Sequence, residues 1–542
     1  MTAINSKQVT NEWGKALEAN SFLYEALCER LESRSLDNPE AVLMEIDQLA
    51  GLAGCHPGRF ADGRIENRAL VMAGDVARAE RIQLAKIEPG RKDLPRVLHV
   101  ASEVYPSGGH TRVLAKWIER DNASHHLVAL TRQPVPVPDV LLEACRRGGA
   151  QIFNLPPEAS RMSRARALRT LAGQVDRVIL HHHPNDVIVV LAMAVPMAIP
   201  VALFNHAHFS FGLGWTVADI TINTLPYFRT LTERFRFPRA TALLTGVPGN
   251  CAFAPYDKKQ AKRALSLAPQ IPVLLTIGAE RYYRPAMGYD FFRTLRKILQ
   301  ACGEVQVLII GPRQDAEFVP QDLATDRRIR FTGVVNNPIS HYQAADICLE
   351  SFPMPSLGGF IEAVVYGGAF PIPVYGPHEN VVRINLPPLS SDGTRPKDEV
   401  DYIQAVADRV RRLPESRDAA AKMQAELQHL EPEWPNTLKK LSAEIDGCVH
   451  SPGPIPVAAC SKTEDDHILA ALLPVDLWGE LHRRFPYAGA LRRNANSVFK
   501  HAQSPSQFIS RESRYAWAAI QGEVQTRKLR LRAGVKRLLM PK

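Results

Sequence analysis

The residue types between positions 351 and 375 predict a phosphate-binding element. Their order is typical of a strand end, a glycine-containing loop, a short helix closed by Gly-Gly, and a second buried strand. Such a loop directs free backbone N–H groups and the positive end of a helix at one point, which suits a phosphate group. We expect Glu362 on the first turn of this helix, where its carboxylate would accept hydrogen bonds from a ribose diol. The loop residues are Ser356, Leu357, Gly358 and Gly359.

A second glycine loop carries a histidine. The segment Ser107-Gly-Gly-His-Thr-Arg112 follows the first predicted strand and opens a helix. Gly108 and Gly109 let the backbone approach a ligand closely, and a helix N-terminus beside His110 favours negative charge. The segment is not Gly-x-Gly-x-x-Gly, so a dinucleotide site has no support. A tight turn without a ligand is the alternative, but loops at the carboxyl ends of strands form the binding crevice of such sheets.

Histidines also follow two further predicted strands. His206 lies at the end of a buried strand, where an imidazole can hydrogen-bond a sugar hydroxyl or act as a base because it titrates near neutrality. A lone histidine at such a position is usually structural. The run His181–His183 invites a zinc interpretation, but adjacent strand residues point to opposite faces and cannot all ligate one ion. We expect His182 or His183 to line a cleft.

Two arginines, Arg281 and Arg284, lie in a loop that follows another predicted strand. Their charge suits a diphosphate, and a solvated surface position is the alternative for each taken singly. The pair Asp465-Asp466 lies far from these segments, and no Asp-x-Asp occurs in a suitable context. We therefore expect no metal and no other cofactor.

Alternating strands and helices must position these residues. Six short apolar runs lie between residues 96 and 223, and five more lie between residues 271 and 374, all separated by helical patterns. That alternation predicts an α/β protein with two tandem Rossmann-like domains and a cleft between them. The predicted regions are a helical N-terminal region (1–92), a first Rossmann-like domain (93–238), a second (239–410), further helices (411–450) and a basic C-terminal extension (451–542).

Composition and charge narrow the class of protein. The 542 residues are too many for one core, and 45% apolar with 23% charged residues is an ordinary globular composition. The formal charge is +10, and the last 43 residues, 500–542, carry most of the excess. Because this tail mixes basic and apolar positions, it predicts weak docking on an anionic membrane, with a solvated terminal helix as the alternative. Nucleic-acid binding is not expected, since no recognised motif or aromatic-interleaved basic patch is found.

The sequence also indicates a cellular compartment. The eight cysteines are scattered without a Cys-x-x-Cys pair, which favours reduced thiols in a cytoplasmic protein, and the first residues lack a signal-peptide pattern. Residues 187–204 have no charge and reach the lower length limit for a membrane span, but Pro196 and Pro200 interrupt them. A buried helix followed by a buried strand is the prediction for this segment.

Taken together, these segments resemble GT-B glycosyltransferases, and in particular the family-4-like enzymes (glycosyl transferases group 1) of bacteria. Residues 107–112 resemble the Gly-Gly loop of the N-terminal domain in that family. Residues 204–214 are similar to an N-H-A-D-H-x-F-W-L-G pattern, with departures at His208, Phe209 and Gly212. The matching residues are Asn205, His206, Ala207, Phe211, Leu213 and Gly214.

The donor loops resemble the same family with two departures. Arg281 matches the family's first basic residue in kind, and Arg284 stands in for a lysine whose position is occupied by Met287-Gly288. The family often has two glutamates eight positions apart; Glu362 corresponds to the second, which binds ribose, and Met354 occupies the position of the first. Whether the anomeric configuration is inverted or retained is therefore left open.

The resemblance implies metal-independent transfer of a hexosyl group from a nucleotide-sugar donor to a hydroxyl of a glycan, lipid-linked or protein acceptor, in surface polysaccharide or glycoconjugate synthesis. His206 and His110 become the candidate catalytic residues, with the first Rossmann-like domain on the acceptor side. The predicted location is the cytoplasm, peripherally at the inner membrane if residues 500–542 dock there. A catalytically degenerate protein that only binds nucleotide sugar or glycan, or a nucleotide-sugar 2-epimerase, is the alternative. The implied donor-binding residues are Gly108, Gly109, Arg281, Arg284, Ser356, Leu357, Gly358, Gly359 and Glu362.

Overall fold

The structure is a computed structural model, and it describes most of the chain between residues 24 and 457. The described ranges are 24–25, 27–54, 59–88, 93–106, 109–206, 208, 210–244, 256–285, 289–353, 355–375, 396–429 and 433–457. The basic tail at 500–542, Gly108 and Met354 lie outside them. In the described part, no helix is both long and apolar enough to cross a bilayer.

The first domain is built on a parallel sheet of seven strands in the order β3-β2-β1-β4-β5-β6-β7. The six predicted strands are confirmed, and β7 adds a seventh beyond the predicted boundary at residue 238. The strands are β1 (Arg96–Ala101), β2 (His125–Leu130), β3 (Gln151–Asn154), β4 (Arg177–Leu180), β5 (Val201–Phe204), β6 (Ile220–Asn223) and β7 (Thr241–Leu243).

Helices connect these strands and cover both faces of the first sheet. Residues 187–204 form a helix followed by β5, as predicted, and every residue of that helix is buried. Asp186 begins the helix by accepting a hydrogen bond from the Ile188 backbone N–H, which explains its start at that residue. The helices are α4 (Gly109–Arg120), α5 (Asp139–Gly148), α6 (Arg161–Ala172), α7 (Val187–Met193) and α8 (Pro226–Phe235).

The second domain has a parallel sheet of five strands in the order β10-β9-β8-β11-β12. All five predicted strands are confirmed, so the expected pair of Rossmann-like domains is confirmed as well. The strands are β8 (Val273–Ile277), β9 (Gln306–Ile310), β10 (Ile329–Gly333), β11 (Ile347–Leu349) and β12 (Phe370–Ile372). The helices are α9 (Lys258–Ala264), α10 (Phe291–Ala301), α11 (Gln321–Ala324), α12 (Ile339–Ala344), α13 (Gly358–Gly367), α14 (Glu399–Arg411) and α15 (Leu413–His429).

The N-terminal region and the residues after α15 complete the core of the first domain. Buried residues of α1 (residues 27–33), α2 (Pro39–Ala53) and α3 (Gly63–Val71) share one hydrophobic cluster with β1, β2, β4 and β5. On the opposite face of the sheet, α16 (Trp434–Asp446) packs against residues of β1, β4, β5 and β6. The strap that follows, residues 450–456, returns to α3, where the Gly63 N–H donates to Pro456 O at 3.1 Å.

Candidate active site

Both sheets have the strand order in which the direction of winding reverses beside the first strand. The reversal lies between β1 and β4 in the first sheet, and between β8 and β11 in the second. Loops at the carboxyl ends of these strands separate and leave a crevice, which is the usual ligand site of such sheets. Most of the predicted site residues lie on these loops. We refer to the first turns of α4 and α13 and the loops after β4, β5, β8 and β11 as the interdomain site.

The two predicted catalytic histidines are brought together. His110 lies on the first turn of α4, whose first residue is Gly109, and its ring centroid is 4.3 Å from that of His206, which follows β5. His110 Nε2 donates to the His181 carbonyl oxygen. Because that nitrogen carries the proton, Nδ1 of a neutral His110 has its lone pair available.

Both histidines are held neutral. Burial, followed by the nearby His183, lowers the pKa of His110 to about 4. Burial also lowers the pKa of His206 well below its ordinary value, and His110 and His181 act in the same direction. At neutral pH the first-domain half of the site therefore presents uncharged imidazoles, which accept hydrogen bonds but do not attract anions.

The loop that carries His206 is anchored by the N-terminal region. Glu66 of α3 accepts hydrogen bonds from the Gly214 N–H at 2.9 Å, the Thr216 N–H at 2.7 Å and the Thr216 hydroxyl at 2.6 Å. The Phe60 carbonyl accepts from the Gly212 N–H at 3.1 Å. Residues 59–71 therefore hold the loop that carries His206. The sequence pattern did not reveal this role, because neither Phe60 nor Glu66 belongs to a recognisable motif.

A buried arginine also holds this loop, through hydrogen bonds to two of its carbonyl oxygens. Arg236 is fully buried, donates to His208 O and Ser210 O at 2.9 Å, and lies 4.7 Å from the Phe60 ring centroid. Burial lowers its pKa to about 9. Two of the three departures from the pattern, His208 and Gly212, are thus residues whose backbone groups are held by hydrogen bonds, and Phe209 lies outside the described residues.

The three consecutive histidines after β4 have three different environments. His181 is fully buried and contacts other histidines, whereas His182 hydrogen-bonds Leu213 O at 3.0 Å. His183 is partly exposed and stacks on Tyr105 with ring centroids 5.8 Å apart. Among the described residues, no three His, Cys, Asp or Glu side chains are arranged to hold a metal ion. Of the two candidates for lining the site, His183 is the more exposed, with its ring centroid 5.6 Å from that of His110.

The second-domain half of the site is the N-terminus of α13. Leu357, the residue before the helix, has φ +52° and ψ −73°, and the Gly358 N–H turns back to the Ser356 carbonyl at 2.6 Å. This is a γ-turn, a strained conformation that a leucine rarely adopts. A Cβ on Gly359 would lie 3.0 Å from Ile277 Cγ2, so the close packing of α13 on the end of β8 favours glycine here.

Glu362 lies on the second turn of α13, so the predicted first-turn position is wrong. The helix begins at Gly358, so Glu362 is its fifth residue. Both carboxylate oxygens accept hydrogen bonds from Arg112 Nη1, at 2.8 and 3.0 Å, and Tyr342 OH donates to one of them at 3.0 Å. Arg112 belongs to α4 of the first domain, so this ion pair joins the two halves of the site. The predicted ribose ligand is buried and already bound to protein groups.

A second glutamate in this half was not predicted. Glu350 follows β11 and accepts hydrogen bonds from Ser356 N at 2.8 Å and Ser356 Oγ at 3.0 Å, while its other oxygen has no partner in the described structure. Burial raises its pKa to about 7. The signal in the sequence was a charged residue at the end of an apolar strand. Its contacts indicate that Glu350 fixes the loop before α13.

The two predicted arginines lie at the same edge of the second sheet. Arg281 and Arg284 are exposed and follow β8, which is the neighbour of β11. The loop they occupy begins at Gly278, where a side chain would come within 3.0 Å of Ser351 Oγ. Arg281 lies 5.2 Å from the Tyr282 ring centroid. Both arginines are thus exposed on a loop at the carboxyl edge of the second sheet.

The arrangement combines two kinds of recognition. The N-terminal end of α13 and two exposed arginines favour an anionic group, since the positive end of the helix dipole and the two arginine charges act together there. His110 and His206 favour a neutral hydroxyl-rich group, because they are uncharged hydrogen-bonding rings. A ligand with a phosphate part and a sugar part would satisfy both.

No protein-family model matches this chain, and no curated protein sequence matches it. Among solved structures, it is similar to HepE of Anabaena in complex with UDP and glucose, with 12% identity over 65% of this chain and 100% of that chain and a TM-score of 0.48. It is also similar to a glycosyltransferase of Rickettsia africae, at 13% identity, 65% and 98% coverage and a TM-score of 0.49. A mutant O-GlcNAc transferase of Thermobaculum terrenum gives 13% identity, 79% and 84% coverage and a TM-score of 0.46. Similarity at this level does not identify a family, a donor or an acceptor.

Proposed function

We propose that this protein is a GT-B glycosyltransferase that moves a sugar from a nucleoside diphosphate sugar to an acceptor hydroxyl. The observation that carries the proposal is the convergence of two helix N-termini from two Rossmann-like domains, joined by the Arg112–Glu362 ion pair. One terminus, α13, has the positive end of its helix dipole in the interdomain site and carries Glu362. The other, α4, carries a neutral histidine beside a second one.

In this proposal the second domain binds the donor. The diphosphate lies at the N-terminal end of α13, where backbone N–H groups and Arg281 or Arg284 stabilise the negative charge that grows as the glycosidic bond breaks. Glu362 binds the ribose hydroxyls after Arg112 has moved away from it. Val334, which is 76% exposed, and Val335 follow β10 and are placed to contact the nucleobase through their backbone.

The first domain handles the sugar and the acceptor. His110 and His206 offer hydrogen-bond acceptors to sugar hydroxyls or to the attacking hydroxyl. Their lowered pKa values make them weak bases in the empty site, so most of the rate enhancement must come from positioning and from stabilisation of the leaving diphosphate. We propose no metal ion for this chemistry, a hexose as the transferred sugar, and a cytoplasmic location with peripheral membrane contact through residues 500–542.

The second candidate is a non-catalytic protein that binds nucleotide sugar. Two observations favour it: Met354 occupies the position of the first family glutamate, and Glu362 is paired with Arg112. The epimerase alternative has less support, because it needs free acid and base carboxylates and Glu350 is bound into its own loop.

Saturation-transfer NMR with UDP-, GDP-, dTDP- and CMP-sugars tests donor binding. We expect one nucleotide class to bind and its signal to disappear in Glu362→Ala. Glu415→Ala is the matched control, because Glu415 is an exposed glutamate on α15 of the same domain. If no donor binds the unaltered protein, the glycosyltransferase proposal fails.

Turnover separates the enzyme from the non-catalytic alternative. With the bound donor and a set of acceptor glycans, we expect release of nucleoside diphosphate that falls at least about 100-fold in His206→Ala, the usual contribution of a positioned acid–base group. Donor binding without any release of nucleoside diphosphate would favour the non-catalytic protein.

A further inference from the structure

Four histidines form a continuous row across the first sheet. His126 lies on β2, His99 on β1, His181 directly after β4 and His206 shortly after β5, and these strands are neighbours in that order. Nitrogen–nitrogen distances are 3.0 Å from His126 Nδ1 to His99 Nε2, 3.1 Å from His99 Nδ1 to His181 Nε2, and 3.3 Å from His181 Nδ1 to His206 Nε2. His99 and His181 therefore use both ring nitrogens for hydrogen bonds within the row, whereas His126 and His206, at its two ends, use one each.

Strand geometry explains why the rings meet. Residues two apart on a strand share a face, so His99 lies on the face of Val97, and His181 on that of Ile179. Val97, Ile179 and Phe204 belong to one hydrophobic cluster on that face. The row begins beside the last turn of α4 and crosses the sheet diagonally to the carboxyl edge, where the interdomain site lies.

The contacts of His126, at the end of the row far from the interdomain site, fix the direction in which the hydrogen bonds of the row run. His126 Nε2 is 3.0 Å from the Asp121 carbonyl oxygen and 3.7 Å from the Asp121 carboxylate. A carbonyl oxygen and a carboxylate accept hydrogen bonds and cannot donate them, so Nε2 of His126 must carry the proton.

The remaining protons follow by elimination. With its proton on Nε2, a neutral His126 accepts at Nδ1, and only His99 Nε2–H can donate to it. His99 Nδ1 then accepts from His181 Nε2–H, and His181 Nδ1 accepts from His206 Nε2–H. The last ring, His206, is left with an unprotonated Nδ1, which makes no hydrogen bond in the described structure.

The elimination requires neutral rings, and their surroundings supply that condition. Trp117 lies edge-on to His99 and His181, with ring centroids 5.5 and 5.9 Å away, and Phe204 stacks on His206 at 4.5 Å. Burial lowers the pKa of His99 and of His181 well below the ordinary value, and it lowers that of His126. The charged groups that act on the buried end are Arg177, which disfavours a charged imidazole, and Asp121, which favours one at His126.

We propose that His126, His99 and His181 are positioning residues that set the tautomer of His206, so that its Nδ1 is always a hydrogen-bond acceptor for the substrate hydroxyl. The tautomer itself follows from the row alone, and only its use in catalysis rests on the proposed glycosyl transfer. An isolated neutral imidazole exists as two tautomers in exchange, so fixing one removes a non-productive form of the site.

In the proposed transfer step the row also accepts the proton of the acceptor hydroxyl, at His206. The acceptor oxygen forms its bond to the anomeric carbon, the bond from that carbon to the diphosphate oxygen breaks, and the diphosphate leaves with the electron pair. The hydroxyl proton passes to His206 Nδ1, and the imidazolium formed there is stabilised by donating Nε2–H to His181 Nδ1. His206 releases the proton to water when products leave.

Nitrogen NMR of protein labelled with ¹⁵N and ¹³C only in histidine tests the tautomers directly. Neutral Nε2–H and Nδ1–H rings differ in their nitrogen shifts and in the shift of Cδ2, and signals are assigned by single substitutions of each row histidine. We expect all four rings as the Nε2–H tautomer. A neutral His206 with its proton on Nδ1 would overturn the proposal, whether or not the protein turns over any sugar.

Substitution at the far end tests the coupling. His126→Phe removes the anchor, and we expect a second, Nδ1–H population at His206 to emerge, although His206 follows a different strand. His126→Asn is the matched control, because its side-chain oxygen can replace Nδ1 as the acceptor for His99. If both folded variants leave the His206 signals unchanged, the row does not set the tautomer.

Kinetics then test the use of the tautomer. We expect kcat to fall about 10-fold in His126→Phe at unchanged KM for the donor, and to recover to within about 2-fold of the original in His126→Asn. A loss confined to KM, or an equal loss in both variants, would assign His126 a purely structural role. A protein that shows the expected tautomers but no turnover would leave the row in place and reject the proposed enzyme.

Discussion

In each half of the site, a buried glutamate accepts backbone hydrogen bonds from a loop. The two glutamates differ in how far they lie along the chain from the loop that they hold. In the second domain, Glu350 holds the backbone of Ser356, only six residues away. In the first domain, Glu66 holds Gly214 and Thr216, about 150 residues away, from a helix outside the Rossmann-like sheet. The loop before α13 is therefore organised by its own strand, whereas the loop that carries His206 is organised by another region of the protein.

The halves also differ in charge and in backbone strain. The first half presents neutral histidines whose positions are fixed by many hydrogen bonds. The second half presents a helix N-terminus behind a strained residue, Leu357, with exposed arginines nearby. The first half is therefore held by a network of hydrogen bonds, whereas the second half stores backbone strain at Leu357.

Removing the long-range anchor should have the largest effect. Glu66→Ala leaves three buried donors without their acceptor, and we expect a loss of about 3–5 kcal/mol in the stability of the first domain. Urea unfolding followed by tryptophan fluorescence measures it, with Glu158→Ala, an exposed glutamate of the same domain, as control. A loss below about 1 kcal/mol would mean that the loop does not depend on Glu66.

The pH dependence of stability should show both glutamates. The pKa values of Glu66 and Glu350 are raised by burial from 4.5 to about 7, so the folded state holds more protons than the unfolded state between these values. Stability should therefore fall as pH rises from about 4.5 to 7, by on the order of 3 kcal/mol for each carboxyl.

The Gln variants isolate this contribution. Glu66→Gln and Glu350→Gln cannot ionise, and each should flatten its share of the pH profile measured by thermal unfolding. If the double variant keeps the full slope between pH 5 and 7, these carboxyls are not its source. A slope removed by only one substitution would show that the two halves differ in this respect as well.

Breaking the ion pair between the halves should have a smaller effect. In Arg112→Gln the arginine no longer competes with the ribose for Glu362. Under the proposed function we expect donor binding to tighten by about 3- to 10-fold, because the ion pair would otherwise have to separate before ribose binds. Titration calorimetry with the donor identified by NMR measures it. Arg147→Gln, a change to an exposed arginine of α5, is the control. Weaker binding in Arg112→Gln would instead make Arg112 a ligand of the donor.

Relieving the strained turn should have the smallest effect. Leu357→Gly removes the side chain from a residue with φ +52°, and we expect a gain of about 1 kcal/mol or less in the stability of the second domain. Thermal unfolding measures it, and Leu265→Gly, at a residue with negative φ, should be destabilising. A clear loss of stability in Leu357→Gly would show that packing of its side chain outweighs the strain.

The sequence was informative wherever the signal was local. Strand positions, the two parallel sheets and the helix–strand interpretation of residues 187–204 were all predicted and are confirmed, because burial on both faces gives continuous apolar runs that can be read directly. His110 and His206 were selected from their places after strands, and the structure brings their rings together. The roles of these residues, and of Arg281 and Arg284, stay predictions.

Other features had no local signal. Glu362 was placed one turn too early, because loop residues and first-turn residues of a helix have similar compositions. His99 and His126 were passed over inside apolar strands, although a histidine at an inward position is a sign of a buried polar contact. Gly108 and the basic tail at 500–542 lie outside the described residues, so those predictions stay open.

The sequence by itself determined the α/β class, the two sheets and the identity of the groups available at their carboxyl edges. Tertiary structure alone decided that Arg112 pairs with Glu362, that Glu66 holds the loop of His206, and that four histidines on or just after four adjacent strands form one row. The physical reason is the separation along the chain of the residues that interact. Strand and helix patterns arise from interactions over a few residues, whereas these contacts join residues that are neighbours only after parallel strands have aligned in a fixed order.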